Sequence, residues 1–159
     1  MNWQQVCRDP ILRDLPYKIE LSQWGEIVMS PASIWHIAFQ RDIMRLIESL
    51  MKKGMALQEF PIKTSENVKV ADVVWMSAHL FEKVKKEACS PVAPEICVEV
   101  MSPGNSKAKM LYKGRLYFEA GAKEVWTCDK KGNITFYNSD GKLKRSILIP
   151  DFPKKIQEV

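Results

Sequence analysis

Along this chain the apolar positions first alternate, then recur at helical spacing, then gather into short runs, and each change of period marks a new element. Tyr17, Ile19 and Leu21 alternate with polar residues, Ser22 to Gly25 interrupts them, and Ile27 and Val28 resume, which predicts a hairpin over 17–29. Ser30 and Pro31 then offer a cap and a first-turn proline. Ile34, Ile37, Ala38, Met44, Ile47 and Met51 follow at helical spacing as far as Gly54, predicting one long amphipathic helix across a sheet.

Beyond Gly54 the texture is that of strands, over 55–63 and 68–76. Val68, Val70, Val73, Val74 and Trp75 make the second of these apolar enough for an interior strand. Ser77 can cap a short helix to about Lys86, and Ile96 to Met101 forms another apolar run. Ser102-Pro103-Gly104-Asn105 ends it, a helix is expected over 106–120, and Gly121 stands just past its end. Strands over 125–128, 134–137 and 143–149 complete the chain as an antiparallel meander. Interleaved helices and strands imply an α/β (α+β) fold, a mixed central sheet flanked by helices with an N-terminal hairpin and C-terminal antiparallel strands. No linker or repeat interrupts residues 1–159, so a single domain is expected.

Composition adds little to this. Of 159 residues, 46% are hydrophobic and 27% charged, as one ordinary core requires, and a net charge of +5 leans mildly toward a polyanionic partner. Cys7, Cys89, Cys97 and Cys128 form no CxxC pair, which argues against a zinc or redox motif and for reduced thiols. The lack of an apolar run of about 18 residues and of a basic-then-apolar start argues for a cytoplasmic protein with no membrane partner.

The candidate chemistry lies in the two most apolar strands, each of which carries one acid, Asp72 and Glu99. A buried carboxylate needs compensation. If the strands are neighbours, alternation lets the two acids converge on a divalent cation such as Mg²⁺, which takes carboxylates, waters and substrate phosphate. Exposure or pairing with a lysine at a strand end is the competing reading. On the following helix Lys113, Tyr117 and Gly121 share one face, so Lys113 can send its ammonium along the packed surface to the acids; Lys107 and Lys109 are its competitors. Glu20 and Glu26 are candidates for a third carboxylate, set against the ordinary exposure of hairpin acids. His36 is a candidate accessory group, set against a packing role. Trp75, Trp126, Phe136 and Tyr137 read as core aromatics, and the basic runs at 52–53, 83–86, 130–131 and 142–145 as mostly solvated surface.

Taken in order, these residues resemble the Uma-two type of restriction endonuclease, a branch of the PD-(D/E)xK nuclease superfamily. The resemblance runs through Tyr17 to Glu20, Gly25 to Pro31, His36, Val70 to Val74, Pro94 to Pro103, Lys113 with Tyr117, and Gly121 to Trp126. It implies an endonuclease hydrolysing phosphodiester bonds of nucleic acid, DNA foremost, with Mg²⁺ (or Mn²⁺) held by Asp72, Glu99 and the backbone carbonyl of Val100. Two positions depart from the superfamily pattern: Ala71 replaces the proline before the aspartate, and Met101 stands where a lysine is expected, a role the resemblance transfers to Lys113. A nuclease fold retained only for binding nucleic acid or for assembly is the alternative. No helix-turn-helix or zinc finger is evident, which points to weak sequence specificity. Apolar C-terminal strands would offer an edge for a homodimer.

Overall fold

The structure is a computed structural model, and it describes residues 1–157. The N-terminal hairpin forms as expected: β1 (Lys18–Leu21) and β2 (Ile27–Ser30) pair antiparallel, with Lys18 opposite Ser30 and Leu21 opposite Ile27. The Ser22 hydroxyl accepts from the Trp24 and Glu26 N–H groups and closes the turn. A helix absent from the sequence reading, α1 (Trp3–Arg8), precedes the hairpin with a capping box between Asn2 and Gln5. Its Val6 joins Leu12 and Leu21 in a small separate core; six residues are too few to show a period.

The long helix α2 (Ile34–Leu50) begins later than its sequence suggests. Ser33, not Ser30, is the N-cap, accepting the His36 N–H at 3.2 Å, while Ser30 closes β2. The inward face also differs. His36, Phe39, Gln40, Ile43 and Ile47 are buried, whereas Ile34 and Ile37 are 84% and 54% exposed. The first two turns of α2 therefore present a histidine and a glutamine to the interior, where an uncompensated polar group would be costly.

Six strands follow in the order β3 (Met55–Thr64), β4 (Asn67–Met76), β5 (Ile96–Val100), β6 (Glu124–Cys128), β7 (Ile134–Asn138) and β8 (Gly141–Leu143). Only β5 and β6 are parallel, and α4 (Lys107–Glu119), capped by Ser106, makes the crossover between them. The short helix α3 (Ala78–Val84) is capped by Ser77 as read. Gly54 turns the chain from α2 into β3 at φ +75°; a Cβ there would lie 2.5 Å from the Met76 carbonyl, which restricts the position to glycine. Alternate residues of the sheet serve two cores. Val73, Val98 and Trp126 pack with Phe39, Ile43 and Ile47 of α2, and their neighbours Val74, Cys97 and Val125 pack with Tyr117 of α4.

The last strand is much shorter than the expected 143–149. Glu124, fully buried, collects the donors of that segment: its carboxylate accepts from the Ile147 and Leu148 N–H groups, the Ser146 hydroxyl and the Trp126 indole, all at 2.7–2.9 Å. Backbone groups satisfied by a buried acid have no need of a ladder partner. The edge on which the homodimer expectation rested is thus three residues long, a length that resists edge pairing. Among the described residues no helix is long and apolar enough to cross a membrane.

Candidate active site

The β4–β5 ladder ends with Val73 opposite Val98. One step further, Asp72 and Glu99 face each other across the point where regular pairing stops. The Asp72 Oδ2 accepts the Val100 N–H at 2.7 Å, so the carboxylate takes the donor that the next rung would have used. Glu99 turns toward α4. Its Oε1 accepts from the Tyr117 hydroxyl at 2.6 Å and from the Lys113 ammonium at 2.9 Å. Both acids are 1% exposed, which makes their neighbours decisive.

The hairpin supplies the next layer. Lys18 and Glu20, two residues apart on β1, point the same way. The Lys18 ammonium lies 2.8 Å from Asp72 Oδ1 and 3.6 Å from Glu99 Oε2. Glu20 accepts from the Val70 N–H and from Lys113, each at 2.7 Å, so Lys113 is clamped between Glu20 and Glu99. From α2, His36 places Nε2 3.4 Å from Asp72 Oδ1 and Nδ1 3.3 Å from the Met101 carbonyl. Two ring nitrogens facing two acceptors are both satisfied only in the imidazolium. Gln40 donates to Glu59 at 2.6 Å and reaches Asp72 at 3.4 Å. Glu59 itself has φ +50°, a left-handed conformation that costs a non-glycine residue about 1–2 kcal/mol. Its carboxylate, Asp72 and His36 have ligand atoms within 4.8 Å of one another.

These neighbours drive the two central acids apart in proton affinity. Burial pushes Asp72 upward, but the Lys18 ammonium and the His36 hydrogen bond outweigh it and hold the group well below the usual carboxylate range. Burial raises Glu99 as well; Lys113 and Lys18 offset this only in part, while Asp72 and Glu20 repel, so it sits above the ordinary value. Glu20 is held below its ordinary value because Lys113 and Lys18 overcome its burial. Burial alone would lower Lys18, yet Asp72 and Glu99 hold it well above the usual lysine value. His36 is raised, its burial outweighed by Asp72 and the Met101 carbonyl.

Of the residues singled out from sequence, the structure brings together Asp72, Glu99, Lys113, Glu20, His36 and the backbone of Val100. Glu26 stands apart at the exposed hairpin turn, near the Ser22 hydroxyl at 3.3 Å. Lys107 is exposed, and Lys109 lines the cleft with its ammonium 3.5 Å from the Gly104 carbonyl. The apolar pattern of the sequence does not single out Lys18, Gln40 or Glu59, and it marks Tyr117 only as a core residue. A signal for Gln40 and His36 was present: stepping back from Ile47 and Ile43 by helical intervals lands on both. The cluster forms one wall of an open cleft of about 520 Å³, lined by the hairpin, the start of α2, β4 and α4. None of the four basic runs lines it.

The donor set suits a hard divalent cation. Glu99 Oε2 is a buried carboxylate oxygen with no hydrogen-bond partner, and it faces the same side as Asp72 Oδ1. A mixed sheet that presents two acids where its central strands part, with a lysine from the α4 crossover beside them, defines a protein of the restriction-endonuclease-like class. In keeping with this, the fold is similar to a crystal structure described as a putative nuclease belonging to DUF820 from Anabaena variabilis ATCC 29413, with a TM-score of 0.67 and 18% identity over 87% of this chain and 79% of that one. The Uma2 family profile, described as "Putative restriction endonuclease", matches residues 4–153, and the chain belongs to that family. No curated protein matches it.

Proposed function

We propose that the chain is a divalent-metal-dependent endonuclease that hydrolyses phosphodiester bonds of nucleic acid, DNA in preference to RNA. The observation that carries this reading is the convergence of Asp72, Glu99 and Lys113 at one open cleft, with Asp72 and Lys113 on its wall, Glu99 just behind them, and both acids buried. Asp72, Glu99 and the Val100 carbonyl would hold Mg²⁺ or Mn²⁺. When bound, such an ion supplies an acidified water and neutralises charge on the phosphate.

The chain's own groups have separate tasks in this reading. Lys113, fixed by Glu20 and Glu99, is a preorganised cation for orienting the attacking water or stabilising the charge that builds on phosphorus. His36 and Gln40 hold the Asp72 carboxylate in place. Lys69 and Lys109 on the cleft wall are the candidates for flanking phosphates. With the basic runs elsewhere, phosphate contacts at the cleft would be few and the sequence-independent part of the affinity small.

Mn²⁺ titration by calorimetry, run beside cleavage of a DNA and RNA panel, tests the reading with wild type, Asp72→Asn, Glu99→Gln and Lys113→Met. Loss of metal binding in the first two variants, with binding kept and cutting lost in the third, is the expected pattern. Folded wild type that binds no divalent cation would remove it. One observation favours the second reading, a nuclease fold used for binding alone: the acids already have two ammonium partners. Metal-independent DNA binding without cleavage would support that alternative.

A further inference from the structure

The ammonium of Lys18 stands against the two oxygens that a shared cation would take, Asp72 Oδ1 at 2.8 Å and Glu99 Oε2 at 3.6 Å. Glu99 Oε2 has no other partner, and Asp72 Oδ2 is committed to the Val100 N–H. We propose that Lys18 is a built-in placeholder for the divalent cation, and that the metal binds by displacing its ammonium into the cleft. This rests on the metal-dependent reading above and adds a competing group to it.

Charge and space both support the exchange. Three buried carboxylates, Glu20, Asp72 and Glu99, are met by Lys18, Lys113 and a His36 whose two nitrogens face acceptors. Glu59, beside Asp72 and His36, adds a fourth carboxylate to the cluster, and the Lys18 ammonium occupies the position next to the two oxygens that a divalent ion would share. Of the three cations, Lys113 is held by two carboxylates and the Val70 carbonyl at 3.3 Å, and His36 by Asp72 and Met101. Among the described residues the Lys18 ammonium has polar partners only in the two oxygens in question, and its four-carbon stem rises from a hairpin strand that borders the open cleft. Swinging out leaves Lys113, Glu20 and His36 in place. The resident ammonium also accounts for how two buried, adjacent acids are tolerated without metal, since breaking such a pairing outright is strongly unfavourable.

A site that is free of its placeholder only part of the time binds with an affinity reduced by that fraction, so removing the ammonium should restore the difference. Lys18→Met keeps the apolar stem and removes the charge. Its Mn²⁺ affinity by calorimetry is expected to rise by about tenfold or more over wild type, with a lower melting temperature in metal-free buffer and a larger rise on adding Mn²⁺. A second measurement needs no variant: amine acetylation of wild type, read residue by residue by mass spectrometry. Lys18 is expected to be protected in metal-free buffer and to become reactive with Mn²⁺, while Lys113 stays protected in both.

Mn²⁺ binding with Lys18 still protected, and no gain in Lys18→Met, would overturn the exchange and leave the metal-dependent reading standing. Loss of that binding in Glu59→Gln would then place the ion on the His36, Glu59 and Asp72 side. No Mn²⁺ binding by either wild type or Lys18→Met would overturn both. Binding by the variant alone would show that the ammonium blocks the site without exchanging, and would overturn both the exchange and the metal-dependent reading of wild type.

Discussion

Replacing Tyr117 by phenylalanine removes a single oxygen from the buried end of the site. That hydroxyl donates to Glu99 Oε1 at 2.6 Å, and both partners are buried to 1% exposure or less. The ring and its packing against Val74, Cys97 and Val125 remain, so the change is a hydrogen-bond deletion with almost no cavity. A bond to a charged acceptor contributes about 1.5–3 kcal/mol, and the loss is not repaired by water in a closed core. For a domain of this size that is a fall in melting temperature of about 3–12 °C. Glu99 keeps Lys113 on Oε1 but has no hydrogen bond at Oε2. Urea denaturation at fixed m-value measures the cost, and a double-mutant cycle with Glu99→Gln isolates the pair. Against the neutral amide the same deletion should cost about half as much, near 0.5–1.5 kcal/mol. An equal cost in the two backgrounds, or a cost below about 0.5 kcal/mol in wild type, would refute the claim that Tyr117 stabilises the charged form of Glu99.

Other expected outcomes test the frame around the site. Glu124→Ala strips four donors of their acceptor and should destabilise by at least about 3 kcal/mol, with amide exchange protection lost at Ile147 and Leu148; retained protection would contradict the anchoring role. Gly54→Ala forces a Cβ against the Met76 carbonyl and a side chain into φ +75°, so a loss of about 1–3 kcal/mol in urea unfolding is expected. Burial raises the Asp129 carboxyl, but hydrogen bonds from Asn133 outweigh it and leave the folded value below the unfolded one. Its stabilisation is therefore complete above the unfolded value and lost as pH falls through the folded one. The gap in melting temperature between wild type and Asp129→Asn should narrow on acidification from neutral pH, and a constant gap would reject the argument. With Lys69 and Lys109 as the flanking cations, double-stranded DNA affinity should fall with salt at a logarithmic slope of about −2; a slope steeper than about −5 would mean that the distant basic runs also engage.

The acids of this site were legible in the sequence because they break a pattern. A carboxylate inside an otherwise apolar strand requires an explanation, and Asp72 and Glu99 each break a β run in that way. Lys113 was legible through its helical register with Tyr117. Lys18 and Glu20 were less so, because in the alternation of β1 the polar positions read as the solvent side and the apolar ones as the core. A hairpin laid against β4 makes that assumption fail: Tyr17 is 46% exposed, while Glu20 is buried against Val70 and Lys113.

The same bias rotated α2. Counting apolar residues assigned Ile34 and Ile37 inward, yet the buried stripe includes His36 and Gln40, because that end of the helix meets a carboxylate and the other end meets Val73, Val98 and Trp126. Hydropathy describes where a face is apolar, and a face that closes over a charged site need not be. The segment after β8 makes the converse point. Ser146, Ile147, Leu148 and Ile149 read as a strand, but a single buried acid at position 124 takes donors from the first three. Glu124 lies more than 20 residues upstream and shows no local signal of this. Short-range patterns thus located the groups whose cost is local, while the partners that neutralise them, Lys18 above all, depend on which strand is folded against which.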